Sequence, residues 1–233
     1  TGISTGFYDF DKLTSGLHEN ELIIIAARPA MGKTAFAVNL AVNAALNSNK
    51  NVALFNLEMS AEQLAMRMIS AQGSIDQNKL KTGKLEHNDW KKVNEAMSEL
   101  ANTNLFIEDA SGISVSEIRA KCRRLATQGN GLGLVVIDYL QLIEGSSRYA
   151  GNRQQEVSEI SRSLKTMAME LNVPVIALAQ LSRSVELREN KRPIMSDLRE
   201  SGSIEQDADI VIFLYRDDYY NENSEKKNVA EVI

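Results

Sequence analysis

The sequence predicts an α/β fold: a mostly parallel, twisted sheet covered by helices on both faces. Two observations support this. Short apolar runs alternate with helical patterns along the chain, and a glycine-containing loop stands between the first apolar run and the first long helix. Continuous apolar runs are typical of strands buried on both faces, and strands that alternate with helices favour parallel pairing. We therefore expect one sheet built by repeated strand-helix-strand units.

Six apolar runs bounded by polar turns predict the strands. They cover residues 22–26, 52–57, 105–107, 132–137, 173–179 and 210–215. Residues 228–233 resemble the opening of a further strand. Each run is short and most are rich in valine and isoleucine, which suits strands in the centre of a sheet.

Helical patterns fill the intervals between the runs. Residues 35–47 read as one helix, and Ser60 with Gln63 and Ser114 with Glu117 predict capping boxes that open two others. Two further helical faces repeat at the helical period, namely Trp90, Val93, Met97 and Leu100, and Val157, Ile160, Leu164, Met167 and Leu171. We expect the methionine and tryptophan side chains on these faces to pack in the core.

Composition narrows the class of protein. The chain has 233 residues and 43% hydrophobic residues, enough for one domain with an ordinary core, and no apolar stretch approaches the ~20 residues of a membrane span. One cysteine, Cys122, excludes an internal disulfide, and His18 and His87 are too few for a structural zinc site. A net charge of −5 argues against a surface that coats nucleic acid, although a local basic channel stays open. We expect a soluble protein of the cytoplasm.

Residues 27–34 form a phosphate-binding motif. They match the P-loop pattern of four free positions followed by Gly-Lys-Thr, with alanine where the common form has glycine. Backbone N–H groups of such a loop and of the following helix surround phosphates. The predicted nucleotide contacts are Ala27, Arg28, Pro29, Ala30, Met31, Gly32, Lys33 and Thr34. Lys33 would reach the β and γ phosphates and Thr34 would hold Mg²⁺; the alternative is that Gly32 only makes a tight turn.

Three polar residues follow predicted strands, where ligands bind in α/β sheets. Asp138 suits a Mg²⁺ partner acting through water, Glu58 suits the acid that polarises the attacking water, and Gln180 suits a contact to the γ-phosphate. Lys33, Glu58 and Gln180 are therefore the predicted catalytic residues, and Thr34 and Asp138 the metal ligands. A turn aspartate, a surface carboxylate and a loop amide are the structural alternatives.

A charged segment follows Gln180. Its cations are Arg183, Arg188, Lys191, Arg192 and Arg199, and the small residues Ser201, Gly202 and Ser203 come next. Cations and free N–H groups here could bind a phosphodiester backbone without reading sequence. Four acidic residues partly neutralise the segment, so a solvated loop is an equal alternative. No aromatic residues alternate with these cations, so base stacking is not indicated.

These motifs together resemble the motor domain of bacterial replicative DNA helicases of the DnaB family. The similar segments are residues 5–11, 14–17, 27–34, 56–60, 137–142 and 197–209. The resemblance runs essentially end to end, and it implies a RecA-like P-loop ATPase fold in a six-membered ring that encircles single-stranded DNA and moves 5′ to 3′ using ATP.

The resemblance also implies residue roles. Lys33 and Thr34 would bind phosphate and metal, Glu58 would be the catalytic carboxylate, Asp138 would hold Mg²⁺, and Gln180 would couple the γ-phosphate to DNA. Contacts to DNA would come from Arg153, Arg199, Glu200, Ser201 and Gly202. Implied cofactors are ATP and Mg²⁺, and implied partners are single-stranded DNA, five further copies in a hexamer, a primase and a helicase loader.

By the same resemblance, residues 1–233 would be one motor domain of a longer chain. An N-terminal domain and linker helix would precede it, and a strand with an arginine finger would follow it. The main rival is a RecA- or RadA-like recombination or repair ATPase that forms an open filament. It would share every ATP residue and differ in residues 183–209 and in ring closure. A P-loop kinase or a nucleotide-regulated interaction module is the other alternative, which a DNA-binding titration would distinguish.

Overall fold

The computed structural model describes residues 2–201, 203–227 and 229–233, with the backbone alone at residues 147 and 199–201. Its strands are β1 Leu22–Ala27, β2 Asn51–Asn56, β3 Leu105–Glu108, β4 Leu132–Asp138, β5 Val175–Gln180, β6 Ile210–Tyr215 and β7 Glu231–Val232. They form one sheet in the order β3-β2-β4-β5-β1-β6-β7, and only the β6/β7 pair among the described strands is antiparallel. The predicted mostly parallel sheet is confirmed.

Helices cover both faces of this sheet. They are α1 Tyr8–Thr14, α2 Lys33–Asn47, α3 Ala61–Gly73, α4 Gln77–Thr82, α5 His87–Ala101, α6 Val115–Ala126, α7 Arg153–Leu171, α8 Ile204–Asp207 and α9 Asp217–Tyr220. Successive side chains of a strand point to opposite faces. In β1, Ile23 and Ile25 pack in the core beneath α2 and α3, whereas Ile24 and Ala26 pack in the core beneath α6 and α7.

The ends of β1 to β6 differ from the six predicted runs by at most two residues. Strand β5 begins at Val175 instead of residue 173 because Pro174 has no N–H to join the ladder.

The capping box of Ser60 and Gln63 forms in full at the start of α3. At α6 the Ser114 side chain accepts the Glu117 N–H, but the return bond from the Ser114 backbone is not among the bonds of the described residues.

The prediction that Trp90 and Met97 pack in the core is wrong. Each side chain is 51% exposed, while Val93 and Ala96 on the same helix are buried. Helix α5 packs against α3 at the periphery of the domain. Val93 and Ala96 form the buried face of α5, and Trp90 and Met97 lie outside that face. On α7 the prediction holds, because Val157, Ile160, Leu164 and Met167 are all buried.

Two connections between longer elements contain short 3₁₀ helices. One, Ser147–Tyr149, lies before α7, and two others, Arg183–Leu187 and Met195–Ser201, lie between β5 and α8. The predicted terminal strand is present as β7. Among the described residues, no helix combines the length and the apolar character needed to cross a membrane.

Replacing Leu164 with alanine should lower the free energy of unfolding by about 2 to 5 kcal/mol, because its side chain is fully buried on the inner face of α7 and its removal leaves a cavity. Met97→Ala is the control: it also shortens an apolar side chain on a helix, but at a half-exposed site. Urea denaturation followed by circular dichroism measures both. Equal losses would contradict the assigned core.

Candidate active site

The predicted site residues meet at one edge of the sheet. Strands β1, β2, β4 and β5 are parallel, so their carboxyl ends lie on the same side. Residues 27–34 leave the end of β1, Asp138 ends β4, and Gln180 ends β5 beside Ala27. Glu58 lies two residues beyond the end of β2, where Asn56 stands opposite Asp138.

The P-loop backbone prepares the start of α2 for an anion. Gly32 precedes the helix with a φ of 86°, and no side chain caps the first turn. A Cβ at Gly32 would meet nothing within 4 Å, so the glycine is required by its backbone angle and not by space. The first N–H groups of an uncapped helix lack intrahelical partners. They are therefore free to donate to phosphate oxygens, which supports more than a simple turn.

Lys33, Thr34 and Asp138 lie in contact. The Thr34 hydroxyl donates to Asp138 Oδ2 at 2.7 Å, and Lys33 Nζ lies 3.8 Å from Asp138 Oδ1 and 3.9 Å from the centre of the Tyr139 ring. Burial lowers the pKa of Lys33, and the carboxylates of Asp138 and Glu58 oppose that shift. The lysine is thus a poorly hydrated cation, and a charge that water screens poorly attracts an incoming phosphate more strongly.

The same contacts fit a magnesium ion. Asp138 is 1% exposed, and its Oδ1 accepts no hydrogen bond from the described residues. Mg²⁺ in nucleotide sites is held by one or two protein oxygens, with phosphates and waters completing the shell. Among the described residues there is no group of three or more carboxylate, histidine or cysteine side chains that could hold a metal ion. Thr34 Oγ1 and Asp138 are the oxygens in position to hold it.

Asn56 positions Glu58. The Asn56 Oδ1 accepts the N–H groups of Glu58 at 3.0 Å and Met59 at 2.7 Å, so the chain turns sharply after β2. Asn56 is 1% exposed, whereas the Glu58 side chain is exposed at the edge of the site. Burial raises the pKa of Tyr139, and the nearby charges of Glu58 and Asp138 raise it further. Glu58 is therefore close enough for its charge to affect the pKa values of Lys33 and Tyr139.

Gln141 connects β4 to the predicted γ-phosphate contact. Its side-chain Nε2 donates to the Gln180 carbonyl at 3.1 Å, and its Oε1 accepts the Gln180 N–H at 3.2 Å. The Arg153 guanidinium in turn donates to the Gln141 carbonyl and pairs with Glu156 Oε1 at 3.0 Å. Arg153, predicted to contact DNA, is about half exposed and already oriented by these bonds. Its role in DNA binding stays a prediction.

Two cations of the charged segment hold it together. The Arg188 guanidinium binds the Asp197 carboxylate and the carbonyls of Asn190 and Arg192, and Arg192 pairs with Glu231 at 3.3 Å. The segment is therefore not simply a solvated charged loop. The remaining predicted DNA contacts, the side chains of Arg199, Glu200 and Ser201 and all of Gly202, lie outside the described residues.

Comparison with known protein families identifies the family to which the chain belongs. The family described as DnaB-like helicase C terminal domain matches residues 2–233 of the chain. The chain belongs to this family. Among solved structures, this DnaB-like domain is similar to one whose title describes it as an ATPase domain, with a TM-score of 0.95, 47% identity and coverage of all of this chain and 82% of the other. The resemblance inferred from the motifs, including the RecA-like fold, is confirmed.

Full-length relatives are also similar to the DnaB-like domain. Replicative DNA helicase DnaB of Geobacillus stearothermophilus is 64% identical over 233 residues, and replicative DNA helicase DnaC of Bacillus subtilis is 62% identical. The alignments cover all of this chain and 51% of each relative. A solved DnaB-like replicative helicase, whose title mentions its interactions with primase, matches at a TM-score of 0.96 and 47% identity over 56% of that chain. The chain spans about half the length of these relatives.

Sequence reasoning missed two residues that organise this DnaB-like site. Asn56 interrupts an apolar run just before Glu58, a signal that could have marked it as the residue that turns the chain. Gln141 carries no such signal, because its two bonds to Gln180 depend on β4 and β5 being neighbours. The roles predicted for Lys33, Glu58 and Gln180 stay predictions, although the fold brings all three to one edge.

Proposed function

We propose that this domain is the ATP-driven motor of a replicative DNA helicase, which moves 5′ to 3′ along single-stranded DNA and unwinds the duplex at the fork. The proposal rests on one observation above all: the Lys33–Thr34 pair of the P-loop lies against Asp138 at the carboxyl edge of a RecA-like sheet. The names of the full-length relatives support the helicase assignment.

The chain's own residues divide the work of ATP hydrolysis. Residues 27–34 and the start of α2 bind the phosphates, with the Lys33 ammonium on the β and γ phosphates. Thr34 and Asp138 would hold Mg²⁺, which when bound neutralises phosphate charge. Glu58 orients the attacking water and accepts its proton. Gln180, whose backbone N–H and carbonyl are both bound by the Gln141 side chain, contacts the γ-phosphate and relays its presence to the segment that follows.

Partners follow from the same proposal. Single-stranded DNA would be bound by Arg153 and by residues 199–202 through its phosphates. The solved relative described with primase supports a primase partner for the full-length protein. A homohexamer, a helicase loader and a cytoplasmic location complete the proposal by family resemblance.

Strand polarity of unwinding tests the function. The full-length protein, given ATP and Mg²⁺, should open a forked duplex that carries a 5′ tail and leave one with only a 3′ tail intact. The Lys33→Ala variant serves as the control without nucleotide binding. ATP-dependent DNA binding without any unwinding would overturn the helicase proposal and favour the filament-forming rival.

Arg199→Ala should weaken single-stranded DNA binding alike for all sequences, because phosphate contacts carry no sequence information. Loss of one contact should also flatten the plot of log affinity against log salt by about 0.7. Titrations at several salt concentrations measure both effects. Arg123→Ala, which removes an exposed arginine on α6 that pairs with Glu170, is the matched control. A wild-type salt slope in Arg199→Ala would contradict the assignment.

A further inference from the structure

Arg28 ties the P-loop to the segment that follows β5. Its Nη1 donates to the Leu181 carbonyl at 2.6 Å, and its Nε donates to Glu186 Oε1 at 3.1 Å. On the other side of the same residue, the Leu181 N–H donates to the Ala27 carbonyl at 3.0 Å. The side chain of Arg28 is only 10% exposed. The P-loop therefore holds the first residue after Gln180 from both sides and reaches on to Glu186.

Glu186 is the meeting point of three elements. It lies in the 3₁₀ helix Arg183–Leu187, it accepts from Arg28 of the P-loop, and its Oε1 also accepts the Tyr220 hydroxyl of α9 at 3.0 Å. The hydrogen bond from Arg28 is the main cause that lowers the pKa of Glu186, and the bond from Tyr220 adds to it. Glu186 is thus held as a carboxylate against a nearly buried guanidinium.

A second ion pair continues toward the predicted DNA contacts. Arg188 stands two residues after Glu186 and binds Asp197, which also accepts the Ile194 N–H at 2.8 Å. Asp197 is 9% exposed and stands two residues before Arg199. Two ion pairs and two short stretches of chain therefore link the P-loop to the start of residues 199–202.

We propose that Glu186 is a positioning residue that couples nucleotide at the P-loop to DNA binding by residues 199–202. This inference rests on the proposed function. A ligand shifts a conformation only through different interactions with its two states. ATP brings several negative charges to the loop that contains Arg28, so it competes with Glu186 for this guanidinium. A change in the Arg28–Glu186 contact moves the 3₁₀ helix Arg183–Leu187 and, through Arg188 and Asp197, the backbone that leads into residues 199–202.

The test compares DNA affinity with and without nucleotide. Labelled single-stranded DNA is titrated with the full-length protein by fluorescence anisotropy, with Mg²⁺ and either no nucleotide or a non-hydrolysable ATP analogue. The coupling is the ratio of the larger to the smaller of the two Kd values for DNA. In allosteric proteins this factor is typically about 5- to 150-fold. Affinity for the analogue without DNA is measured separately. A variant that is merely misfolded would lose this affinity as well as the coupling.

Glu186→Gln should bring the ratio down about fivefold or more, while the affinity for the analogue without DNA stays at the wild-type value or rises, because the variant removes the carboxylate that competes with ATP for Arg28. Tyr220→Phe should shift the ratio in the same direction by less, since it removes one of the two bonds to Glu186. Glu170→Gln is the matched control: Glu170 is 36% exposed against 31% for Glu186, and it pairs with Arg119 and Arg123 between α6 and α7.

The outcomes separate this inference from the function on which it rests. A wild-type ratio in Glu186→Gln, with strong coupling in the wild type, would overturn the inference alone. An equal loss in Glu170→Gln would also overturn it, because the effect would then follow from removing any paired carboxylate. A wild-type protein that does not bind DNA would overturn the proposed function, and the inference with it.

Discussion

Replacing Lys33 with alanine is expected to abolish ATP-dependent unwinding and to cut ATP hydrolysis by about 10²-fold or more, the scale on which positioned electrostatic groups act. The lysine side chain is 10% exposed and lies beside Asp138 and the Tyr139 ring, so water screens its charge poorly. Phosphate oxygens brought to this cation gain more than they would in bulk solvent. Steady-state hydrolysis and equilibrium nucleotide binding measure the loss.

Lys165→Ala is the control for this substitution. Lys165 also forms an ion pair, with Asp209 at 2.7 Å, but Asp209 accepts from Leu22 at the start of β1 and so lies at the opposite end of that strand from the P-loop. Normal hydrolysis in Lys165→Ala and loss in Lys33→Ala would support the nucleotide site. Tight ATP binding and hydrolysis in Lys33→Ala would contradict it.

Glu58→Gln is expected to slow hydrolysis by about 10² to 10⁴, the usual contribution of a general base, and to leave ATP binding intact. The Glu58 carboxylate is exposed and makes no hydrogen bond within the described residues, so it is free to hold a water molecule. Glutamine keeps its shape and removes the charge that accepts the proton. Single-turnover hydrolysis, compared with binding of the same nucleotide, separates the two effects.

Glu62→Gln controls for loss of a negative charge in this region, because Glu62 is an exposed acid in the first turn of α3. Loss of ATP binding in Glu58→Gln would instead indicate an effect on folding or on the metal site. Unchanged hydrolysis would show that another group activates the water.

The strands were predictable because burial on both faces leaves a local mark. Residues 22–26 and 210–215 read as continuous apolar runs, and β1 and β6 coincide with them to within one residue. The order of the strands leaves no such mark, since β1 lies between β5 and β6 through contacts distant in sequence. Helical periodicity likewise located α5 but not its buried side, because packing against α3 chose Val93 and Ala96 over Trp90 and Met97.

The site also contains residues that the sequence predicts and contacts that only the fold reveals. Lys33, Thr34 and Asp138 were found because each follows or ends a local pattern. The contact between Arg28 and Glu186 joins residues 158 apart in the chain, so it depends on β5 lying beside β1. Asn56 is an intermediate case: the asparagine is visible in the sequence, but its bonds to Glu58 and Met59 appear only once the chain turns after β2.

The position of Trp90 makes it an optical reporter. It is the chain's one tryptophan, and it lies half exposed at the edge of α5. Its emission spectrum will therefore be close to that of a hydrated indole and will respond to whatever covers α5. Quenching by iodide should be efficient in the isolated domain and should fall when a partner shields this helix. Intrinsic fluorescence of this domain thus follows encounters at its periphery.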